Sequence, residues 1–203
     1  MKGFLKRDFY LMETNLKFYL LFIGAFALLA MFTDFSASFL SLYVVIFAMS
    51  GIAGLFSYDE ANRWTAYGAA APAGRKAMVD ARYLLTLLVA AGITLIQALL
   101  GLLNRETGAV PMAAVYSGIF LLYAALALPV NYRFGGTRSR TVMIVLMAVL
   151  AGAVGLGGSM LNMSAIHGEV RLPPVTLVFP LLGLGALWLS RQAALAVMAK
   201  KEL

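Results

Sequence analysis

Apolar residues in this chain gather into six runs separated by short polar breaks, at about 18–33, 39–56, 83–103, 110–128, 141–161 and 175–189. A hydrocarbon core of about 30 Å needs about 20 apolar residues in helical form. Each run is therefore a candidate span, with the first one short. The pattern predicts an all-α integral membrane protein of six transmembrane helices, built as one transmembrane domain over 1–203. Asp34 and Ser36 mark one outer turn, Asn104 to Gly108 a second, and a longer outer loop carries His167, Glu169, Arg171 and the Pro173-Pro174 pair. Gly51 and Gly54 in the second run, and Ala148 with Gly152 in the fifth, are the small residues that let helix backbones approach closely.

Two stretches break the apolar pattern. In residues 1–17, Leu5, Phe9, Met12 and Leu16 recur at helical spacing while Lys6, Arg7, Glu13 and Lys17 lie mostly off that stripe. This predicts an amphipathic helix lying in the membrane interface, with a plain extension of the first span as the alternative. The basic start followed by an apolar run is read as an uncleaved span, because mixed residues including Asp8 and Glu13 precede the run.

The second stretch, 57–82, is a polar, aromatic and charged elbow between the second and third runs. Ser57 and Glu60 have the spacing of a capping box, and Asp59 and Glu60 suit the positive end of a helix. That helix is expected to run to about Ala70. Pro72-Ala73-Gly74 then breaks it, and a second helix starts near Arg75 and continues through Arg82 into the third span.

Composition strengthens the membrane reading. Of 203 residues, 62% are hydrophobic and 12% charged, and the mean hydropathy is +0.88; soluble domains carry about 25% charged residues. The net charge of +7 suggests basic loops against anionic lipid more than it suggests nucleic acid. With the N-terminus inside, the cytoplasmic set is Lys2, Lys6, Arg7, Lys17, Arg63, Arg75, Lys76, Arg82, Arg133, Arg138, Arg140, Arg191, Lys200 and Lys201, which is 14 of the 16 basic residues. Short loops with that bias set orientation, so both termini and the elbow are expected in the cytoplasm. Cysteine is absent, which excludes disulfides and thiolate metal sites.

No catalytic pattern emerges. There is no phosphate-binding loop: the nearest approach, Gly68 to Gly74 before Arg75-Lys76, has the wrong spacing and lacks the Lys-Ser/Thr pair. There is no HExxH and no Gly-x-Ser-x-Gly. His167 beside Glu169 reads as a solvated loop histidine. No charged residue falls near a span centre, which argues against an ion-driven pump. Gln97 and Asn162 read as interhelical hydrogen-bonding groups. A membrane-embedded enzyme is therefore a weak reading. The elbow's Tyr58, Trp64 and Tyr67, interleaved with Asp59, Glu60, Arg63, Arg75 and Lys76, have the composition of a docking surface. They equally have that of an elbow resting on lipid headgroups.

The elbow resembles that of small six-span ABC-2 type permeases, the membrane subunits of bacterial ABC exporters. Their Tyr-Asp-Glu-x-Asn-x-Trp-x-x-Tyr segment stands here as Tyr58-Asp59-Glu60-Ala61-Asn62-Arg63-Trp64-Thr65-Ala66-Tyr67. A following Leu-Pro-x-Ser-Arg segment appears weakened as Ala71-Pro72-Ala73-Gly74-Arg75, with Gly74 in place of a serine cap. Tyr132-Arg133-Phe134-Gly135 through Arg138 and Arg140 is similar to the family's basic-Phe-Gly loop. The group is similar to the membrane subunits of exporters of phenol-soluble modulin peptides.

The resemblance implies a dimeric pathway made with a second permease subunit, identical or sister, and two copies of an ABC ATPase that supplies ATP and Mg chemistry. This chain itself then holds no cofactor or metal and is not an enzyme. It implies an ATPase contact at Tyr58, Asp59, Glu60, Asn62, Arg63, Trp64, Tyr67, Pro72, Arg75 and Lys76, and a lesser one at Arg133, Phe134, Arg138 and Arg140. It implies export of an amphipathic or hydrophobic substrate, a peptide by analogy, across the bacterial cytoplasmic membrane. The competing reading is a scaffold or immunity protein that acts by binding alone.

Overall fold

The computed structural model describes residues 2–32, 37–71, 74–103, 109–160 and 178–200. These form six helices: α1 (Lys2–Phe32), α2 (Ala37–Ala61), α3 (Trp64–Ala70), α4 (Gly74–Leu103), α5 (Ala109–Met160) and α6 (Val178–Lys200). Among the described residues four segments are long and apolar enough to cross a membrane: Tyr43–Ala61, Gly74–Leu99, Ala113–Gly136 and Val178–Lys200. They overlap the runs expected as the second, third, fourth and sixth spans, with different ends. The expected first and fifth spans are helical, in α1 and the later part of α5, and are not among these four. The expected turns at Asp34–Ser36 and 104–108, the His167 loop, Pro72, Asn162 and Lys201 lie outside the described residues.

Several boundaries differ from those the sequence suggests. No break separates an interfacial helix over 1–17 from the first span; α1 is one helix from Lys2 to Phe32. Straight-chain helix formers such as Leu11, Met12, Glu13, Leu16 and Lys17 fill the junction, and nothing there stops propagation. Along the apolar stripe Phe9 is 61% exposed while Leu5 and Met12 are half-buried, and Asp8, off the stripe, is buried.

The capping box at Ser57 does not form, because Ser57 lies inside α2, which continues to Ala61. A cap residue needs non-helical backbone, and no breaker precedes Asn62. The stop comes there: the Asn62 side chain donates to the Tyr58 carbonyl at 2.9 Å, and Arg63 turns to φ 49, ψ 30. Asp59 and Glu60 thus stand at the negative end of α2 and not at the positive end of a new helix.

The expected loop over 131–140 is also helical on both sides of a single break. α5 runs past Pro129 and bends at Gly135, with φ 82 and ψ 174, a conformation open essentially to glycine alone. Ser139 bridges the bend by hydrogen bonding with Asn131 Oδ1 and, at 3.1 Å, with the Gly136 carbonyl.

The core joins α2, α4, α5 and α6 through Val45, Ile52, Phe56, Val79, Phe120 and Met198. Close approaches occur at glycines the sequence did not single out. A Cβ on Gly118 would lie 2.7 Å from the Phe179 backbone, and one on Gly183 would lie 2.7 Å from Leu121 Cβ. These two contacts set α5 against α6. Gly54, in contrast, has open space around it, and the Ala148–Gly152 side chains lie outside the described ones.

Candidate functional site: the elbow end of the bundle

Contacts gather the start of α1, the end of α2, α3, the start of α4, the α5 bend and the end of α6 at one end of the bundle. A group of four charges, three of them buried, lies at its centre. Arg82 on α4 is 2% exposed, Asp8 on α1 3% and Asp59 on α2 2%. Arg82 grips Asp8 with two bonds, Nε to Oδ2 at 2.9 Å and Nη2 to Oδ1 at 3.1 Å. Its Nη2 also donates to Asp59 Oδ2 at 3.0 Å. Arg7 completes the set: its Nη1 donates to Asp8 Oδ1 at 3.1 Å, and its Nη2 stands 2.7 Å from Asp59 Oδ1. The latter is an ion pair whose alignment falls short of a hydrogen bond.

Two arginines against two aspartates leave the group neutral. That balance is what makes burial tolerable, since an unpaired buried charge costs several kcal/mol. Aromatic faces seal it. The Arg82 guanidinium lies 4.5 Å from the Phe56 ring centre and the Arg7 guanidinium 4.1 Å from that of Trp64, and Tyr132 meets Phe56 edge to face at 5.0 Å. Three helices are thereby joined through residues far apart in the chain.

A second set of contacts runs between α4 and α6. Arg75 Nη1 donates to the carbonyls of Met198 at 2.9 Å and Ala199 at 3.2 Å, satisfying acceptors that the end of a helix leaves open. Arg191 Nε donates to Asp80 Oδ1 at 2.8 Å, and the Tyr83 and Ser190 hydroxyls are 2.7 Å apart. Gly74 begins α4 at φ 68. The left-handed backbone there suits glycine, so the residue that stands in place of a serine cap has a conformational role of its own.

Above the four charges lies a cleft of about 260 Å³, lined among others by Asp59, Glu60, Thr65, Arg133, Phe134 and Gly135. It brings together the elbow and the α5 bend, the two stretches the sequence singled out separately. A Cβ on Gly135 would stand 3.4 Å from the Glu60 carboxylate, and one on Gly136 would stand 2.7–2.8 Å from the Phe56–Ser57 backbone.

The residues expected to meet a partner divide as follows. Tyr58, Glu60, Asn62, Arg63, Tyr67, Lys76, Arg133, Phe134 and Arg138 are exposed, Tyr67 to 69%. Trp64 is half-buried under Arg7, and Arg75 is half-buried against α6. Asp59 is buried, bonded to Arg82, at the edge of the elbow cleft. Pro72 and the Arg140 side chain lie outside the described residues.

Sequence reasoning missed Arg7, Asp8 and Arg82 as a unit, counting Arg7 and Arg82 only as cytoplasmic charges. The available signal was an acidic residue directly after Lys6 and Arg7, in a segment whose other carboxylate is Glu13. Nothing in the spacing names its partner 74 positions away.

A protein-family model described as ABC-2 family transporter protein matches residues 3–198. No curated protein and no solved structure matches the chain. With four apolar helices of spanning length and a family match over nearly its whole extent, the chain belongs to the ABC-2 transporter family and is a membrane permease component of an ABC transporter.

Proposed function

We propose that this chain is the permease subunit of an ATP-driven exporter in a bacterial cytoplasmic membrane, with both termini in the cytoplasm. An ABC ATPase seats on the elbow end, two copies serving two permease subunits, identical or sister. ATP and Mg belong to that partner. The observation that carries the reading is the shared cleft. Glu60 and Thr65 of the elbow and Arg133 and Phe134 of α5 line one opening, so a single inserted element can press on both. Movement there has a direct route into the bundle, because Gly136 bears on the α2 backbone.

Beyond that contact, a cleft of about 470 Å³ opens between α2 and α5, lined by Ile46, Met49, Met143 and Ile144 with Ser57 and Asn131. Its mixed lining suits an amphipathic substrate, a peptide by analogy, better than an ion. Asn131 and Gly136 line both clefts.

The test is recovery of an ABC ATPase with the tagged chain from native membranes, followed by transport and ATP hydrolysis measured in reconstituted vesicles. Glu60→Ala is expected to leave the chain folded and to lower transport per ATP hydrolysed by about tenfold or more. A chain that retains no ATPase, with transport absent in the wild type, would favour the scaffold or immunity reading.

A further inference from the structure

The outer face of α6 is an apolar strip that ends in a cation. Leu182, Gly185, Leu189, Ala193, Ala196 and Lys200 recur at spacings of three and four, and all are exposed, so they form one face of the helix. Three of them are small, and a Cβ on Gly185 would meet nothing within 4 Å. The strip is therefore a shallow trough. At its lower end a cleft of about 430 Å³ opens between the last turn of α6 and the first arm of α5, lined by Arg133, Ala196, Val197 and Lys200. Two cations thus stand over an apolar floor, with no carboxylate among those four residues.

A basic residue at the end of α6 has an ordinary explanation, as a counter-charge to the helix dipole and its open carbonyls. Here Arg75 already takes that place, bonding the Met198 and Ala199 carbonyls. The other nearby cation on α6, Arg191, is paired with Asp80. Arg133 lies 5.3 Å from the Phe134 ring, a contact that leaves its positive charge in place. Two like charges facing one cleft repel each other, and an anion between them relieves the repulsion. The cleft sits at the shared end of two segments long enough to span a membrane, where lipid phosphates lie.

We propose that the cleft binds the phosphodiester headgroup of an anionic phospholipid, with an acyl chain lying in the α6 trough. Basic pockets between membrane helices recognise anionic headgroups in this way. Arg133 also lines the elbow cleft, but Lys200 does not, and lipid preference is read without any ATPase present, so a failure here is distinguishable from a failure of ATPase docking.

Trp188 is 62% exposed beside the strip. At about 1.5 Å rise per residue it lies on the order of 18 Å above Lys200, within reach of the far half of an acyl chain. The experiment places the full chain in phosphatidylcholine nanodiscs doped with either brominated phosphatidylglycerol or brominated phosphatidylcholine and measures Trp188 quenching. Two cations near a headgroup predict a preference for the anionic lipid on the order of tenfold. Lys200→Gln, which leaves the elbow cleft untouched, should reduce that preference several-fold. Lys200→Gln with Arg133→Gln should bring it near unity, while Lys200→Arg should retain it. Equal quenching by the two lipids, or a preference unchanged in the double variant, would overturn the proposal. So would displacement of the anionic lipid by millimolar inorganic phosphate, or loss of quenching because a second copy of the chain covers the strip.

Discussion

Two corners of the elbow end are held by opposite physics. The α1–α2–α4 corner rests on four charges, three of them buried, whose contacts reach across long sequence separations. The α2–α5 corner rests on the absence of a side chain, with Gly136 backbone set against the Phe56–Ser57 backbone. Charges attract over several ångströms and tolerate small shifts of the helices, provided the group stays neutral. A backbone-to-backbone contact has no such tolerance, because neither side can yield without moving a helix. The first corner can thus hold while its helices move slightly, and the second transmits any movement of α2 to α5.

The largest expected effect comes from breaking the charge balance. Arg82→Ala leaves Asp8 and Asp59 buried with only Arg7 to face them, at a cost of about 3–5 kcal/mol. Thermal unfolding in detergent should show a sharply lowered midpoint. Removing Asp8 together with Arg82, as Asp8→Leu with Arg82→Met, leaves Arg7 and Asp59 as a neutral pair. That variant should be more stable than Arg82→Ala, and the double-mutant cycle should return a coupling of about 1–3 kcal/mol. Additive losses would mean the group is not the electrostatic unit its distances suggest.

At the second corner one methyl group suffices. Gly136→Ala places a Cβ 2.7–2.8 Å from the α2 backbone, and overpacking of this kind costs about 1–3 kcal/mol. Gly54→Ala is the internal control. It lies on α2 with nothing within 4 Å, so it should be neutral or raise stability by up to about 1 kcal/mol through helix propensity. If both glycines tolerate alanine equally in the same unfolding assay, the corner is not sterically held.

A smaller loss is expected between α4 and α6. Arg75→Met removes both bonds to the Met198 and Ala199 carbonyls while keeping most of the side chain's bulk. Those carbonyls lie near the helix end, where water partly replaces the lost donor, so the cost should be about 0.5–1.5 kcal/mol. Faster hydrogen exchange confined to the last turn of α6 would locate it, and exchange spread over the whole bundle would argue against a local cap.

The comparison also separates what the sequence discloses from what it hides. Long apolar runs needed only local physics, so α2, α4, the first arm of α5 and α6 were legible, as was the start of α4 near Arg75. Helix ends were less so. Ser57 has the right neighbours for a cap, yet a cap forms only where the preceding helix stops, and nothing at Phe56 or Ser57 stops α2. Asp59 and Glu60 were read alike because they are adjacent, but on a helix neighbours point about 100° apart. One reached Arg82 and the other the cleft. Gly136 looked like part of a loop because Phe134-Gly135-Gly136-Thr137 is turn-rich composition, whereas one φ value at Gly135 absorbs the whole bend. The pairing of Asp8 with Arg82 depends on how α1 lies against α4, which no local pattern carries.

The smallest effect tests the stop between α2 and α3. Arg63 sits at φ 49, ψ 30, where a residue with a Cβ is disfavoured by roughly 1 kcal/mol or more relative to glycine. Its side chain is exposed, and its backbone is already tied by bonds from Arg63 N to the Glu60 carbonyl and from Ala66 N to the Arg63 carbonyl, both at 3.2 Å. Arg63→Gly keeps those bonds and relieves the strain, but it also frees the unfolded chain, which takes back part of the gain. The net should be a rise of a few tenths of a kcal/mol, up to about 1. Arg63→Val should lose more than that, because a β-branched side chain tolerates the left-handed region least. The order Gly above Arg above Val in unfolding midpoint is the expected outcome. An order with Val equal to Arg would mean the turn between α2 and α3 is not fixed by this backbone angle.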